Sequence, residues 1–393
     1  MILKKIITFF ILLFSLLSNA QLKLSNTSEI SVLTIGSGHL LNDSFGHSAI
    51  RVKDSLLNFD LVFDYGRYDF ESEGFYLKFT KGKLDYMIGR TAFNDFLSFY
   101  IYQKRRVNEQ QLNLSLKQKT AFYNFLTENM KAENKYYPYD FFYNNCATKI
   151  TDAIESILGD QINYSPPSTF KKETFRNLIR SDLNVNSWGS LGIDIALGSK
   201  IDQKATIKEH VFLPKNLYLL LENASGASTD LKIVKKSKLL SSQTAITKTS
   251  AGLVSPLTIL SLIALAILFI TFNDYKKNNR SVWLDVSLFA FTGFVGVVLL
   301  LLWFATDHKA TAYNYNLLWA FATNLLFIPS ILKTQLTNRG IKYIVFLVIL
   351  LTLLIMHWMT GVQSFSIGLI PFLIAISVRY LFLISHFKKL IQL

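Results

Sequence analysis

The stretch Tyr143-Asn144-Asn145-Cys146-Ala147-Thr148 holds the only cysteine of the 393-residue chain and opens a predicted helix. Apolar residues recur at helical spacing from Cys146 to Leu158, so the thiol falls at or near the helix N-terminus. The helix dipole and the free backbone N–H groups at that end favour thiolate over thiol. A single cysteine also excludes an intramolecular disulfide, and its sulfur is therefore a candidate nucleophile.

A cysteine nucleophile needs a base within hydrogen-bond reach, and His47 is the candidate. It begins a predicted strand over residues 47–52, and residues 30–35 and 61–65 are predicted as neighbouring strands. If the hairpin turns near Leu56, the cross-strand neighbours of His47 fall close to Asp64 and Tyr65, which makes Asp64 a candidate acceptor that orients the imidazole. A shift of one residue in register would move the Asp64 side chain to the opposite face.

Composition and spacing leave two interpretations of this pair open. Free cysteines are among the most buried residues, and a strand histidine is often a satisfied core group, so Cys146 and His47 are either catalytic or part of a core. A catalytic thiol requires an oxyanion hole, for which the backbone N–H of Cys146 and the neighbouring Asn145 are candidate donors. With a further helix predicted over residues 118–131, the pattern indicates an α+β domain.

The first twenty residues have the pattern of a secretory signal peptide. Two lysines precede an apolar run over residues 6–17, and Ser18-Asn19-Ala20 supplies small residues at the cleavage position. The run is shorter than the ~20 apolar residues that span a bilayer, which favours cleavage over retention as an anchor. We therefore predict a signal peptide over residues 1–20 and a mature chain that begins outside the cytoplasm.

Five apolar stretches after residue 250 predict a helical membrane domain over residues 251–393. They cover residues 253–272, 282–304, 317–332, 341–359 and 367–384. The short connecting loops carry their lysines and arginines almost entirely on one side, which the positive-inside rule makes cytoplasmic. Five crossings then place the C-terminus in the cytoplasm and residues 21–250 in the periplasm of a multi-pass inner (cytoplasmic) membrane protein.

The outer segment is predicted as one domain over residues 21–222, followed by a Ser/Thr/Lys-rich linker over residues 223–250. The formal net charge of +14 is accounted for by basic segments that flank the membrane, where lysines favour anionic headgroups. No nucleic-acid-binding module is indicated. Three outer histidines without a cysteine pair argue against a zinc site, and we predict neither a metal nor a cofactor.

A polar cluster follows the second apolar stretch, at the membrane face nearest the outer domain. It contains Asp307, His308 and Asn316. Such a cluster is either an ordinary solvated loop or a contact for a lipid headgroup or an acceptor substrate, and position alone does not decide between them.

Four ordered motifs resemble the Lnb-type lipoprotein N-acyltransferases. They are Phe45-Gly46-His47-Ser48-Ala49-Ile50-Arg51-Val52, Asp64-Tyr65-Gly66-Arg67-Tyr68-Asp69-Phe70, Arg106-Val107 with Gln110 and Leu112-Asn113-Leu114, and Tyr139-Asp140-Phe141-Phe142-Tyr143-Asn144-Asn145-Cys146-Ala147-Thr148. The membrane half is similar through Trp303 to His308, followed by Asn314, Asn316, Leu317 and Trp319. The resemblance implies a permuted papain-like outer domain, as in lecithin:retinol acyltransferase-like enzymes, with the histidine strand before the cysteine helix.

The resemblance further implies that Cys146 is the nucleophile and His47 its base. The family's usual Asn-Tyr-Gly is Asp64-Tyr65-Gly66 in this chain, which leaves the third member of the site undecided. The implied reaction moves an acyl chain from a membrane phospholipid, through a thioester on cysteine, to the N-terminal amine of a diacylglyceryl-cysteine lipoprotein.

Two other functions stay open. A membrane-anchored papain-like cysteine amidase or peptidase acting on cell-wall peptide would use the same nucleophile and base. A non-catalytic membrane scaffold would keep Cys146 as a buried core residue. Five membrane spans favour an enzyme whose donor and acceptor both reside in the bilayer.

Overall fold

The computed structural model describes residues 23–159, 162–228, 230–242 and 252–392, so the predicted signal peptide lies outside the described residues. The strands are β1 (Glu29–Ile35), β2 (His47–Asp54), β3 (Phe59–Arg67), β4 (Asp85–Ala92), β5 (Val107–Leu112), β6 (Tyr136–Pro138), β7 (Ile162–Asn163), β8 (Ser225–Gly226) and β9 (Val234–Ser241). The helices of the outer domain are α1 (Phe75–Lys81), α2 (Phe93–Tyr102), α3 (Leu116–Asn129), α4 (Cys146–Leu158), α5 (Phe175–Asp182), α6 (Trp188–Ala196) and α7 (Pro214–Glu222).

A seven-stranded antiparallel sheet forms the centre of the outer domain, in the order β6-β4-β3-β2-β1-β5-β9. The three strands predicted from the sequence are β1, β2 and β3, and the two predicted helices are α3 and α4. The α+β class is therefore confirmed, and α4 begins at Cys146 as predicted.

Both faces of the sheet are covered by helices, which explains why its central strands are apolar on both sides. Alternate residues of β1 point to opposite faces: Ile30 and Val32 pack under α3, α4 and α7, while Leu33 and Ile35 pack under α2. The first of these cores extends to Cys146 at the start of α4. The sheet thereby fixes the position of the cysteine helix over β2 and β3.

The predicted linker over residues 223–250 begins as part of the folded domain. Its residues 234–241 form β9, which pairs with β5 along the edge of the sheet, for example Glu109 with Lys238. Three lysines of this strand are exposed, as is usual for an edge strand: Lys235, Lys236 and Lys238. The prediction of a tether from residue 223 was wrong for this segment. Its backbone instead pairs with β5, which would otherwise leave its hydrogen-bonding groups unpaired at the edge of the sheet.

The membrane domain contains four helices that are long and apolar enough to span a bilayer, within the part of the chain that the structure describes. They are α8 (Pro256–Lys276), α9 (Val282–Phe304), α11 (Asn338–Met359) and α12 (Ile370–Gln392). The third predicted stretch, residues 317–332, forms only the eight-residue helix α10 (Asn324–Ile331), preceded by the 3-10 helix Tyr315–Leu318. The predicted count of five membrane helices is therefore not confirmed by the four long helices alone.

The short segment nevertheless runs the length of α9. Its start lies at the outer domain, because the Asn316 amide donates to the Asp194 carbonyl oxygen (3.0 Å). Its end lies at the start of α9, because Arg280, two residues before that helix, donates to the Ile331 carbonyl oxygen (2.8 Å). The chain therefore returns alongside α9 in a partly irregular conformation, which is tolerated at membrane depth only where protein surrounds it.

The outer domain is fastened to the membrane domain by backbone contacts on α6 and the turn after it. Gly198 and Ser199 donate their N–H groups to the carbonyl oxygens of Ala310 and Tyr313 (2.9 and 3.0 Å). A Cβ on Gly198 would lie 2.0 Å from the Ala312 carbonyl oxygen, so no larger residue fits there. The two parts of the chain meet at closely packed backbone rather than through a flexible connection.

Candidate active site

The cysteine helix α4 begins with a complete capping box. The side-chain oxygen of Asn145 accepts hydrogen bonds from the backbone N–H groups of Ala147 and Thr148, and the Thr148 hydroxyl accepts one from the Asn145 backbone. Cys146 is thus the first residue of the helix, and its backbone N–H has no partner within the helix. The thiol is placed where the helix dipole favours a negative charge.

A turn at Gly46 positions His47 next to the thiol. Gly46, directly before it, has a φ of +82°, and a Cβ there would lie 2.6 Å from the Ile35 carbonyl oxygen. Only glycine combines that backbone conformation with that close approach. His47 then starts β2 with a half-buried side chain that interacts with the Cys146 thiol and lowers its pKa.

Asp64 lies on the same side of the sheet as His47, as the predicted register requires. The register pairs Asp64 with Ala49, two residues after His47, and the Asp64 carboxylate lies 3.2 Å from His47 Nε2. The other carboxylate oxygen accepts two hydrogen bonds from Arg67 (2.5 and 2.9 Å). Because Nε2 faces Asp64, Nδ1 is the ring nitrogen left for the thiol.

The pKa values of the pair are shifted in opposite directions. Burial opposes the charged forms of both groups, yet the pKa of His47 lies well above its ordinary value because Tyr100, Cys146 and Asp64 act on it electrostatically and through hydrogen bonds. The pKa of Cys146 lies below its ordinary value against the effect of burial, because His47 and the backbone N–H of Ser48 stabilise the thiolate. The geometry favours a thiolate–imidazolium pair.

The carboxyl of Asp64 is held ionised by the same contacts. Burial alone would raise its pKa, but the hydrogen bond and charge of His47, followed by those of Arg67, lower it. An ionised Asp64 both fixes the imidazole ring and stabilises its charged form. Arg67 was missed by the sequence analysis although it stands in the same motif, three residues after Asp64.

Asn145 does not have the role that the sequence suggested. Its side chain is buried, its amide nitrogen donates to the carbonyl oxygens of Phe141 and Phe212 (2.7 and 2.8 Å), and its oxygen caps α4. No hydrogen of this amide remains for an oxyanion. The prediction of Asn145 as an oxyanion donor is therefore replaced by a structural role, and the backbone N–H of Cys146 remains as the predicted donor.

A glycine and a tyrosine form the wall beside the thiol. Gly66 has a φ of +94° in the bulge between β3 and β4. A Cβ built there would lie 3.8 Å from the Cys146 Cβ and 3.9 Å from the Tyr139 ring. The Tyr139 ring stacks on Tyr86 at 4.1 Å between centroids. Aromatic rings therefore line this side of the cysteine.

Two family models account for most of the chain. Residues 17–181 match the Lnb N-terminal periplasmic domain, and residues 247–390 match the Lnb transmembrane domain. The chain belongs to the Lnb family. It is accordingly a membrane protein with a periplasmic N-terminal domain, and the four motifs quoted from the sequence all lie within the residues that match that domain. No curated protein and no solved structure gives a significant match to the chain.

The loop after α9, which carries Asp307 and His308, touches the outer domain rather than standing free. Asp307 donates its backbone N–H to the Lys81 carbonyl oxygen (2.9 Å), and its exposed carboxylate lies 3.9 Å from the Lys83 amine. His308 contacts the Phe79 carbonyl oxygen through Nε2 (3.1 Å). In this Lnb protein the loop is thus a joint between α9 and α1, and a direct contact with substrate remains a prediction.

Asn316 is a structural residue in the same interface. It is fully buried, donates to the carbonyl oxygens of Asp194 and Ile195, and accepts from the Trp319 indole (2.9 Å). Its hydrogen-bonding capacity is used in joining α6 to the membrane domain. The prediction that Asn316 contacts a headgroup or an acceptor was wrong, because the residue lies inside a packed interface and not in a solvated loop.

Proposed function

We propose that this Lnb protein is a lipoprotein N-acyltransferase that uses Cys146 as its nucleophile and a membrane phospholipid as its acyl donor. The observation that carries the proposal is the Asp64–His47–Cys146 arrangement, a charge-stabilised thiolate, on a domain fastened to the outer end of a membrane bundle. A permuted papain-like order, with the histidine strand before the cysteine helix, is part of the same proposal.

The first half-reaction forms a thioester. The Cys146 thiolate attacks an ester carbonyl of the phospholipid, and the negative charge on the tetrahedral oxygen is stabilised by the backbone N–H of Cys146. The carbon–oxygen bond to glycerol then breaks, and His47 gives its proton to the departing alkoxide. A lysophospholipid leaves, and the acyl group stays on sulfur.

The second half-reaction transfers the acyl group to nitrogen. The free α-amine of a diacylglyceryl-cysteine attacks the thioester carbonyl, and neutral His47 accepts a proton from that amine. The carbon–sulfur bond breaks, which restores the thiolate–imidazolium pair and releases an amide-linked acyl chain. Asp64 keeps the imidazole oriented through both steps.

The orientation of the chain in the inner membrane is also proposed. The discontinuous segment after α9 counts as a crossing, because it leads from the outer domain to Lys333, whose carbonyl oxygen accepts a hydrogen bond from Arg280 in the basic loop before α9. Five crossings place the C-terminus in the cytoplasm, in agreement with the positive-inside rule. A reporter active only in the cytoplasm, fused after residue 393, should therefore be active.

The test of the function is mass spectrometry of lipoprotein N-termini in cells that make only diacylated lipoproteins. Native protein should add one amide-linked acyl chain, and an equally expressed Cys146→Ala variant should add none. Unchanged N-termini with both proteins would refute the acyltransferase. Cleavage of cell-wall peptide by the native protein alone would then support the amidase instead.

A further inference from the structure

A series of aromatic rings connects the thiol with the outer end of α9. It begins at Tyr139, whose ring lies beside Gly66 and Cys146, and continues through Tyr86 (4.1 Å between ring centroids) and Tyr68 (5.3 Å). It reaches Phe75 (5.9 Å) and then Phe79 (6.2 Å) on α1. We refer to Tyr139, Tyr86, Tyr68, Phe75 and Phe79 as the aromatic track.

The far end of the track lies at the level of the membrane interface. His308 and Asp307, which bond to the Phe79 and Lys81 carbonyl oxygens, follow directly on the end of the membrane helix α9. The last turn of α9 carries Trp303 and Phe304, with stacked rings, as in the aromatic belts at bilayer surfaces. The joint therefore holds α1 at the depth of the lipid headgroups.

The exposed side of α1 has the composition of an interfacial helix. Tyr76 is 78% exposed, and Phe79 is 52% exposed, with Leu77 between them. Exposing apolar surface of this kind to water costs roughly 25 cal/mol per Å². Insertion of the helix face into a bilayer removes that cost. Lys78, Lys81 and Lys83 on and after the helix would face anionic phosphate groups.

We propose that the aromatic track is the binding surface for the acyl chain of a lipid in the outer leaflet, with α1 inserted at the headgroup level. The inference rests on the proposed function, since it assigns the route by which the donor reaches the nucleophile. The chain leaves the bilayer at α1, lies along the partly exposed edges of Tyr68 and Tyr86, which pack beside the buried Phe75, and brings its ester to Cys146. The lysines attract the phosphate at the membrane end before the ester moves along the track.

The first experiment needs no activity. Full-length Cys146→Ala protein is reconstituted in vesicles of phosphatidylethanolamine and phosphatidylglycerol that contain a phospholipid with a diazirine on its acyl chain. After illumination, labelled peptides should include residues 68–79 and those with Tyr86 or Tyr139. Peptides from the β2–β3 turn should stay unlabelled, because this turn lies at the opposite end of β2 from His47. Labelling confined to the membrane helices would overturn the proposal.

The second experiment compares a long-chain with a short-chain donor. Acylation of Cys146 is measured with a long-chain phospholipid and with soluble p-nitrophenyl acetate, in native protein and in a Tyr76→Ser, Phe79→Ser double variant. The ratio of long-chain to short-chain rates should fall at least tenfold in the variant. Leu56→Ser is the matched control, because Leu56 is an equally exposed apolar residue (71%) in the β2–β3 turn; its ratio should stay that of native protein.

The outcomes separate the inference from the function. An unchanged ratio in the double variant, with native acylation of Cys146, would reject the track and keep the acyltransferase. Labelling of the track in the first experiment, without acylation of native Cys146 by either donor, would reject the acyltransferase and keep a lipid-binding surface.

Discussion

Two buried charged clusters of the outer domain contain similar side chains but have different roles. Around Arg176 every guanidinium nitrogen is bonded, to Asp194, to Asp202 and to two carbonyl oxygens of the turn after α6, and its side chain is 1% exposed. In the Asp64–His47–Cys146 cluster only Asp64 is satisfied by its neighbours, while the His47 side chain remains 19% exposed. The Arg176 cluster, whose polar groups are all bonded, stabilises the structure, and we call it the closed cluster. The Asp64–His47–Cys146 cluster keeps an accessible group that can react, and we call it the open cluster.

The largest effect expected is on the open cluster. Cys146→Ala should lower N-acylation by at least about 10³-fold, because no other described group can form the thioester. Its free energy of unfolding should stay close to that of native protein, since the thiol lies at the edge of the core. Mass spectrometry of the acylated product and thermal unfolding in detergent measure the two effects. Full activity of this variant would contradict the mechanism.

The closed cluster should show the reverse behaviour. Arg176→Met leaves the buried Asp202 without a cation and Asp194 with Arg180 alone, and it should cost about 3–5 kcal/mol of stability. Limited proteolysis of the outer domain and thermal unfolding would show the loss. Lys131→Met is the control, because Lys131 pairs with Glu128 on the surface, and it should leave both measurements unchanged. A stable Arg176→Met protein would show that the interface does not depend on this cluster.

The pH dependence of the open cluster sharpens the comparison. Alkylation of Cys146 by iodoacetamide follows the thiolate, so its rate should rise with pH through a pKa below the ordinary thiol value. In His47→Ala the midpoint should move upward, because burial then acts without the compensating charge. An unchanged midpoint would show that His47 does not stabilise the thiolate.

The opposite limb of the pH profile belongs to His47. The raised pKa of His47 keeps it protonated at neutral pH, so acylation of Cys146 by an ester should fall only as pH rises through that value. In Asp64→Asn the imidazolium loses a carboxylate, its pKa falls, and the descending limb should move to lower pH. Each pH unit of displacement corresponds to about tenfold less imidazolium above the pKa. An identical limb in both proteins would exclude Asp64 from the site.

The smallest effect is expected at Asn145. Asn145→Ala removes the cap of α4 and should cost about 1–2 kcal/mol of stability. Activity per folded molecule should fall less than tenfold. Rates normalised to the folded fraction distinguish this from an oxyanion donor, whose loss costs about 10²–10³-fold. A loss of that size at native stability would restore the role that the sequence suggested.

The sequence predicted what depends on local patterns. Helical spacing located the start of α4 at Cys146, and strand alternation placed Asp64 where it contacts His47. Both follow from neighbours in the chain and from the two-residue repeat of a strand. The assignment of Cys146, His47 and Asp64 as catalytic remains a prediction that the activity measurements above would test.

The sequence failed where distant segments determine the outcome. Asn316 looked like a loop residue, because its partner, the carbonyl of Asp194, lies more than a hundred residues away. The strand β9 looked like a linker, because only the free edge of β5 makes it a strand. The aromatic track had a visible signal, the density of Phe and Tyr over residues 68–79, but its connection to Tyr139 depends on tertiary packing.

The irregular return segment beside α9 also constrains the order in which the protein is made. Its outer half, around Asn314 and Asn316, donates hydrogen bonds to backbone carbonyl oxygens of α6 in the periplasmic domain and to the side-chain oxygen of Gln363 before the last helix. During synthesis the four long helices can enter the bilayer from the translocon on hydrophobicity alone, but this segment cannot be satisfied there by itself. We therefore expect its insertion to finish after the exported domain has folded and docked, which would link folding in the periplasm to assembly within the membrane.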